Sequence, residues 1–257
     1  MTNKQKTLIL ITNDDGVNAK GIKALTEVMR TFGDVVVVAP ETAMSGMSHA
    51  ITVKKNLYIT QEHKEEGLEI FRVNGTPSDC VKLAMNVLLD RTPDFLVSGI
   101  NHGSNSSVNV HYSGTMGGAR EGALYGIPSI GFSLLDHDHD ADFTVSVEVC
   151  REVFDYVFKN GMEQGVYYNV NIPKATEIKG LKICRQTKGH WIEEFFKLTD
   201  ESGNGCYKLT GEFLNEEPEA TDTDDWALMN GYASLVPCLV DVTSFESLNK
   251  LQDLCEV

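Results

Sequence analysis

Two adjacent carboxylates are the residues of this sequence best suited to chemistry. Asp14 and Asp15 follow an apolar run at residues 7–12 and precede Gly16. Two ionised carboxylates in one crevice repel each other, so holding them there is costly unless a cation lies between them. The tripeptide alone is better explained as an acidic turn that caps the next helix. Its interpretation therefore depends on the loops expected beside it.

Two other loops carry oxygen atoms that could complete a cation site. Ser45 lies in the loop after the apolar run 35–40, and Asn101 follows the run 95–100. In an open parallel sheet the carboxyl ends of the strands meet at one edge, where ligands bind. Carboxylate, hydroxyl and amide oxygens suit Mg²⁺ or Mn²⁺, whereas zinc prefers His and Cys. The sequence predicts one divalent ion per subunit, with these candidate ligands: Asp14, Asp15, Ser45 and Asn101.

A glycine-rich segment that opens a predicted helix is a candidate phosphate site. Residues 112–118 read Tyr-Ser-Gly-Thr-Met-Gly-Gly. The N–H groups of a helix N-terminus and a nearby hydroxyl can donate hydrogen bonds to a phosphate. An ordinary helix cap explains the segment equally well. In combination with a divalent ion between two carboxylates, the segment favours attack of water on a phosphate ester.

Strand and helix patterns alternate along the first 172 residues. Continuous apolar runs, typical of strands covered on both faces, are separated by stretches of helical periodicity. We predict strands at residues 7–12, 34–39, 51–60, 70–73, 93–100, 128–134 and 166–172. We predict helices at residues 21–30, 77–90, 113–125 and 143–158. This alternation predicts an α/β fold with a doubly wound, mostly parallel sheet.

The last third of the chain differs in composition. Residues 181–240 are rich in Glu, Asp, Thr and Gly, with short β-prone runs at 181–187, 206–210 and 232–236. We therefore predict a catalytic core at 1–180, a strand-rich C-terminal arm at 181–240 and a C-terminal helix at 241–257. We interpret Trp191, Phe195 and Phe196 as a small core of the arm or a subunit contact, in preference to a nucleobase site.

Composition excludes several classes of protein. The 257 residues include 22 Lys and Arg against 37 Asp and Glu, for a net charge of −15, which disfavours binding of nucleic acid through a basic surface. The longest apolar runs, of about six residues, are too short for a membrane span or a signal-peptide core. The six cysteines show no Cys-x-x-Cys spacing, which indicates reduced thiols. We expect a cytoplasmic protein that binds neither nucleic acid nor a membrane.

Six sequence blocks resemble the signature segments of the SurE family, the survival-protein nucleotidases. The blocks are Asn-Asp-Asp-Gly-Val at 13–17, Ser-Gly at 45–46, Asn-Gly-Thr-Pro-Ser-Asp-Cys-Val at 74–81, Ser-Gly-Ile-Asn-His-Gly-Ser-Asn at 98–105, Tyr-Ser-Gly-Thr at 112–115, and Thr-Asp-Thr-Asp-Asp-Trp-Ala at 221–227 with Gly-Tyr at 231–232. The resemblance implies a cytoplasmic, metal-dependent 5′-nucleotidase that hydrolyses nucleoside monophosphates. It also implies a Rossmann-like core and an arm that helps to build a homodimer or homotetramer.

The resemblance assigns roles to individual residues as well. The metal ligands that it implies are Asp14, Asp15, Ser45 and Asn101, the set that the strand ends predict. The residues that it places on the phosphate side are Asn101, Asn105, Ser113, Gly114 and Thr115. We expect Asp14 and Asp15 to be catalytic, one as a direct ligand and the other orienting or deprotonating the water. The sequence does not distinguish the two.

Other interpretations stay open. A broader phosphatase or exopolyphosphatase would use the same site with a less selective base pocket. A non-hydrolysing nucleotide- or metal-binding regulator is the second alternative, because a phosphate-binding fold does not imply turnover. His102 and His111 are candidate general acids, although a structural or base-contacting role is at least as well supported. The tract 136–140, Asp-His-Asp-His-Asp, is interpreted as a solvated loop before a helix.

Overall fold

The computed structural model describes residues 6–251. Its strands are β1 (Leu8–Thr12), β2 (Asp34–Pro40), β3 (Ile59–Glu65), β4 (Leu68–Val73), β5 (Phe95–His102), β6 (Ser129–Leu134), β7 (Val166–Ile172), β8 (Leu181–Ile183), β9 (Gly189–Ile192), β10 (Phe195–Thr199), β11 (Gly205–Leu209), β12 (Glu212–Asn215) and β13 (Ala233–Leu239). Its α-helices are α1 (Lys20–Met29), α2 (Pro77–Leu83), α3 (Gly114–Leu124), α4 (Thr144–Asn160), α5 (Asp224–Met229) and α6 (Phe245–Leu251). None of these helices is long and apolar enough to cross a membrane.

A nine-stranded sheet forms the centre of the molecule. Its strand order is β3-β4-β2-β1-β5-β6-β7-β13-β8. The six strands from β4 to β7 are parallel, while β3 and β13 run antiparallel to their neighbours β4 and β7. The predicted Rossmann-like, doubly wound α/β fold with a mostly parallel sheet is therefore confirmed.

Helices cover both faces of this sheet because the side chains of each strand alternate between the two faces. Ile9 and Ile11 of β1 belong to a large cluster that includes residues of α1 and α4. Leu10, between them, belongs to a second cluster that includes Val81 of α2. Burial of one such side chain contributes about 1.5–3 kcal/mol. The chain leaves β1 through α1 on one face and leaves β5 through α3 on the other, so the two connections diverge between these neighbouring strands.

Local differences from the predicted elements have identifiable causes. The predicted strand at 51–60 is wrong over 51–58, where backbone N–H groups are bound by side chains instead of a strand. Thr52 N donates to Asp79 Oδ1 at 2.9 Å, and Tyr58 N donates to Asn74 Oδ1 at 2.7 Å. The predicted helix at 77–90 is regular only to Leu83 and continues as a π-turn over Ala84–Leu88.

The predicted boundary of the arm also differs from the structure. β8 and β13, both within residues 181–240, are the last two strands of the central sheet. β13 pairs with β7 from Ser234 to Leu239, and without it β7 would be an open edge of the sheet. The arm proper consists of two antiparallel pairs, β9 with β12 and β10 with β11. Of the predicted C-terminal helix, α6 is present, and residues 252–257 lie outside the described part.

Five cysteines fall within the described residues, and all are free thiols: Cys80, Cys150, Cys184, Cys206 and Cys238. Burial raises the pKa of Cys80 and of Cys150 well above its usual value. These two thiols therefore stay protonated and act as small core residues. Cys255 lies outside the described part of the chain.

Candidate active site

Asp14 lies in the loop after β1, at the carboxyl edge of the sheet, and is only 3% exposed. Its Oδ1 accepts a hydrogen bond from the hydroxyl of Thr115 on α3. Burial raises the pKa of Asp14 to about 6; the Thr115 hydrogen bond lowers it, and the negative charge of Asp15 raises it. The structure thus holds a carboxylate away from water beside a second carboxylate.

Asp15 lies beside Asp14 and is partly buried. Its Oδ2 accepts a hydrogen bond from the backbone N–H of His102, at the end of β5, at 3.0 Å. Burial raises the pKa of Asp15 as well, although this hydrogen bond lowers it. The two neighbouring strands β1 and β5 therefore orient the pair, and its combined negative charge is suited to a cation.

The loop of Ser45 is joined directly to Asp14. Met44 N donates to the backbone oxygen of Asp14 at 2.7 Å, and the next residue, Ser45, is exposed. Asn101 is buried near the end of β5. Its Nδ2 donates to the backbone oxygen of Gly103 at 2.8 Å, which leaves its Oδ1 for a cation. The sheet thus brings the predicted ligands to one edge, while their ligand roles remain a prediction.

The chemistry of these residues fits a hard divalent ion. The donors are two carboxylates, a hydroxyl and an amide oxygen, all of which suit Mg²⁺ or Mn²⁺. Across residues 6–251, no group of three or more His, Cys, Asp and Glu side chains could hold a metal. A cation here would therefore need Ser or Asn oxygens, or water, beyond the two carboxylates.

The N-terminus of α3 lies against Asp14. Ser113 caps this helix, because its Oγ accepts from Met116 N at 3.0 Å. A Cβ added to Gly114 would lie 2.8 Å from the Cβ of Asp14, so the contact requires glycine. The helix directs its partial positive charge at the carboxylate and at any anion bound beside it. A phosphate bound by Ser113, Gly114 and Thr115 remains a prediction.

Asn105 lies within a buried network of asparagine side chains. Its backbone N donates to Asn171 Oδ1, its Nδ2 donates to Ser133 Oγ, and its backbone oxygen accepts from Asn169 Nδ2, each at 2.8 Å. These contacts anchor the loop after β5 to the ends of β6 and β7. A direct phosphate contact from Asn105 remains a prediction.

A cluster of polar side chains around the buried carboxylate of Glu121 was not predicted from the sequence. The carboxylate of Glu121 on α3 lies 2.8 Å from His49 Nε2 and 2.6 Å from Lys82 Nζ. Burial acts to raise the pKa of Glu121, but the hydrogen bonds from His49 and Lys82 hold it below its usual value. Glu121 therefore ties α2 and the Ser45 loop to α3. One feature of the sequence could have pointed to Glu121. It is the single acidic residue of α3, a helix rich in Gly and Ala.

The histidines around the site have varied environments. The ring of His102 packs edge-on against Phe143, with 5.1 Å between centroids, which supports its structural role. His111 contributes its backbone oxygen, which accepts from Ser48 Oγ at 2.6 Å. In the tract 136–140, residues 137–140 are exposed, as expected for a solvated loop. Asp136 is buried instead and accepts from Lys174 Nζ at 3.0 Å.

Comparison with known proteins identifies the family of this site. The sequence profile described as "Survival protein SurE" matches residues 9–193, which contain Asp14, Asp15, Ser45, Asn101 and the N-terminus of α3. The chain belongs to the SurE family. The resemblance noted in the six sequence blocks is therefore confirmed.

SurE relatives match this chain over nearly its full length. A protein of Christiangramia forsetii named "5'-nucleotidase SurE" is 50% identical over 258 residues, which cover 97% of each chain. A protein of Phocaeicola vulgatus with the same name is 47% identical, again with 97% of each chain covered. The crystal structure of the SurE protein from Aquifex aeolicus superposes with a TM-score of 0.82 at 37% identity, covering 96% of this chain and 99% of that one.

Proposed function

We propose that this chain is a 5′-nucleotidase that hydrolyses nucleoside monophosphates to nucleoside and phosphate. The observation that carries the proposal is the pair Asp14 and Asp15 at the carboxyl edge of the sheet, with the N-terminus of α3 against Asp14. The name shared by its SurE relatives, 5'-nucleotidase SurE, supports the same activity.

We further propose that one Mg²⁺ or Mn²⁺ ion per subunit is the cofactor. Its ligands would be Asp14, Asp15, Ser45 and Asn101. A bound divalent ion supplies Lewis acidity toward a phosphate oxygen and lowers the pKa of water to near neutrality. Two carboxylates balance the charge of such an ion, which supports this assignment over a site without a metal.

The residues around this ion would have distinct roles in orienting the ligands, the water and the phosphate. The Thr115 hydroxyl fixes the orientation of Asp14, so that carboxylate would be a fixed ligand. Asp15 is less buried than Asp14, so it is better placed to orient the attacking water or to accept its proton. Ser113, Gly114 and Thr115 open α3, whose positive end would stabilise the charge of the phosphate.

We also propose that the arm joins copies of the chain into a homodimer or homotetramer. The pair β10 and β11 exposes large apolar side chains, among them Phe195 at 67% and Tyr207 at 67% exposure. Apolar surface of this kind usually marks an interaction site. The family resemblance supports the same assignment and a cytoplasmic location. Sedimentation equilibrium of the full chain would test the assembly, and a monomer at micromolar concentration would contradict it.

Phosphate release from a panel of substrates tests the activity. The panel contains 5′- and 3′-nucleoside monophosphates, nucleoside triphosphates and polyphosphate, each with Mg²⁺, with Mn²⁺ and after EDTA. We expect metal-dependent release, fastest from 5′-monophosphates. Faster release from polyphosphate would instead support an exopolyphosphatase. Nucleotide binding without release would support the regulator.

A further inference from the structure

A pocket of about 400 Å³ opens between the core and the arm. It is lined by Asn109, Tyr112, Trp191, Glu194, Leu209 and Thr210. Asn109 and Tyr112 come from the 3₁₀-turn Ser107–His111 and the residue after it, whereas the other four come from the arm. Two aromatic residues on separate parts of the fold thus line one cavity.

One hydrogen bond and one aromatic contact hold the Trp191 side chain in place. Its Nε1 donates to Asn109 Oδ1 at 3.0 Å, and its ring packs edge-on against Phe213 with 6.1 Å between centroids. The indole is therefore oriented before any ligand enters, which lowers the entropic cost of binding. Phe195 and Phe196 differ, because they are 67% and 61% exposed and contribute no small core around Trp191.

Tyr112 connects this pocket to the phosphate side of the site. Its backbone N donates to the backbone oxygen of Asn109 at 3.0 Å, and its own backbone oxygen accepts from Ser48 N at 2.9 Å. Tyr112 is 58% exposed. Two residues later, Gly114 contacts Asp14. Two residues of chain span at most about 7 Å, so the Cα of Tyr112 lies within about 7 Å of the Cα of Gly114, the residue that lies against Asp14.

We propose that this pocket binds the nucleobase of the substrate by stacking on Trp191 and Tyr112. The proposal rests on the proposed nucleotidase function, which places a phosphate beside Asp14. Aromatic faces stack with any base, and polar groups at the rim add hydrogen bonds. Asn109 retains its amide N–H groups as donors, and the Glu194 carboxylate is an acceptor for amino or imino groups of a base. Trp191 is then a specificity-determining residue, a role that the sequence alone does not favour.

Substitution of Trp191 tests this assignment with two substrates that differ in the base. A nucleoside 5′-monophosphate and ribose 5-phosphate share the phosphate ester and the sugar, and only the nucleotide carries a base. We expect Trp191→Ala to reduce the ratio of kcat/KM for the nucleotide to kcat/KM for ribose 5-phosphate by about 10-fold. The effect should come mainly from a higher KM for the nucleotide, because stacking on an aromatic side chain contributes to the binding of bases. Trp191→Phe should restore most of the ratio. Trp226→Phe, a change in the aromatic pair with Tyr232, is the matched control and should keep the wild-type ratio.

An equal effect of Trp191→Ala on both substrates, or no effect on either, would overturn the proposal. If wild-type protein hydrolyses neither substrate, the proposed function fails. A separate binding measurement then tests whether the pocket binds a nucleobase. The Trp226→Phe variant retains Trp191 as its one tryptophan, because the chain has two. Saturable quenching of its fluorescence by a nucleoside, and not by ribose 5-phosphate, would support the pocket. Absence of quenching by the nucleoside would overturn it.

Discussion

The hydroxyl of Thr115 donates a hydrogen bond to the carboxylate of Asp14, although the two residues are 101 positions apart in the chain. This contact joins the loop after β1 to the first turn of α3. It places a buried negative charge at the positive end of a helix, which stabilises that charge. The cation site and the phosphate site proposed for this protein therefore share one structural element.

Removal of either carboxylate charge should abolish most turnover. We expect Asp14→Asn and Asp15→Asn each to lower kcat by at least about 100-fold, because each removes a ligand or a proton acceptor. The change in Tm should be small, since asparagine has nearly the same shape. Phosphate release and thermal unfolding measure the two effects. Near wild-type kcat in both variants would refute the proposed site.

A methyl group at Gly114 should disturb the site without unfolding the protein. In Gly114→Ala the new Cβ would lie 2.8 Å from the Cβ of Asp14 and 2.9 Å from its Oδ2, so Asp14 or α3 must move. We expect a loss of kcat of about 10-fold or more, since small displacements of catalytic groups are costly. Gly205→Ala is the control, because its Cβ would meet only Lys197 Cε, at 3.9 Å. Equal kcat in the two variants would show that the close contact does not matter.

Glu121 should act on the site through the loop that carries Ser45. Glu121→Gln removes the charge that holds His49 and Lys82, so the loop is held less firmly. We expect Mn²⁺ affinity, measured by isothermal titration, to fall by roughly 10-fold, as for other residues that orient metal ligands. The exposed helix residue Glu148 supplies the control Glu148→Gln. Unchanged Mn²⁺ affinity in Glu121→Gln would remove Glu121 from any positioning role.

The base of the arm should lose stability in acid. The Arg185 guanidinium and the backbone N–H of Lys188 lower the pKa of Glu217 from 4.5 to about 2. The carboxylate accepts hydrogen bonds from Arg185 Nη1 at 2.5 Å and Nη2 at 3.0 Å. Because the folded state favours the ionised form, this contribution is present above pH 4.5 and is lost as the pH falls toward 2.

Urea unfolding between pH 7 and pH 3 measures that loss. Glu217→Gln should unfold at slightly lower urea concentration at pH 7 and show a weaker dependence on pH below 4.5 than the wild type. Glu219→Gln, a change at an exposed residue nearby, should follow the wild-type curve. If all three proteins show the same pH dependence, the ion pair at the base of the arm contributes no net stability.

Much of the fold was predictable from local patterns. The continuous apolar runs of β1, β2 and β5 identify buried parallel strands. The helical periodicity between such runs indicates helical crossovers, which are right-handed between parallel strands. Once β1 and β5 are neighbours, the residues after them must meet at one edge. For this reason Asp14, Asp15 and Asn101 could be grouped from the sequence alone. The strand prediction over 51–58 was wrong because side chains accept hydrogen bonds from its backbone N–H groups, and hydrophobic periodicity does not reveal such contacts.

The sequence by itself determined the order of the elements, the class of the sheet and the group of oxygen donors at its carboxyl edge, because these follow from hydrophobic periodicity and strand direction. Only the tertiary structure decided that Glu121 contacts His49 and Lys82, that β13 extends the central sheet, and that Trp191 donates a hydrogen bond to Asn109. Each of these contacts joins residues far apart in the chain. Such contacts depend on which strand edge is open and which side chains meet across a gap, and no local pattern encodes either.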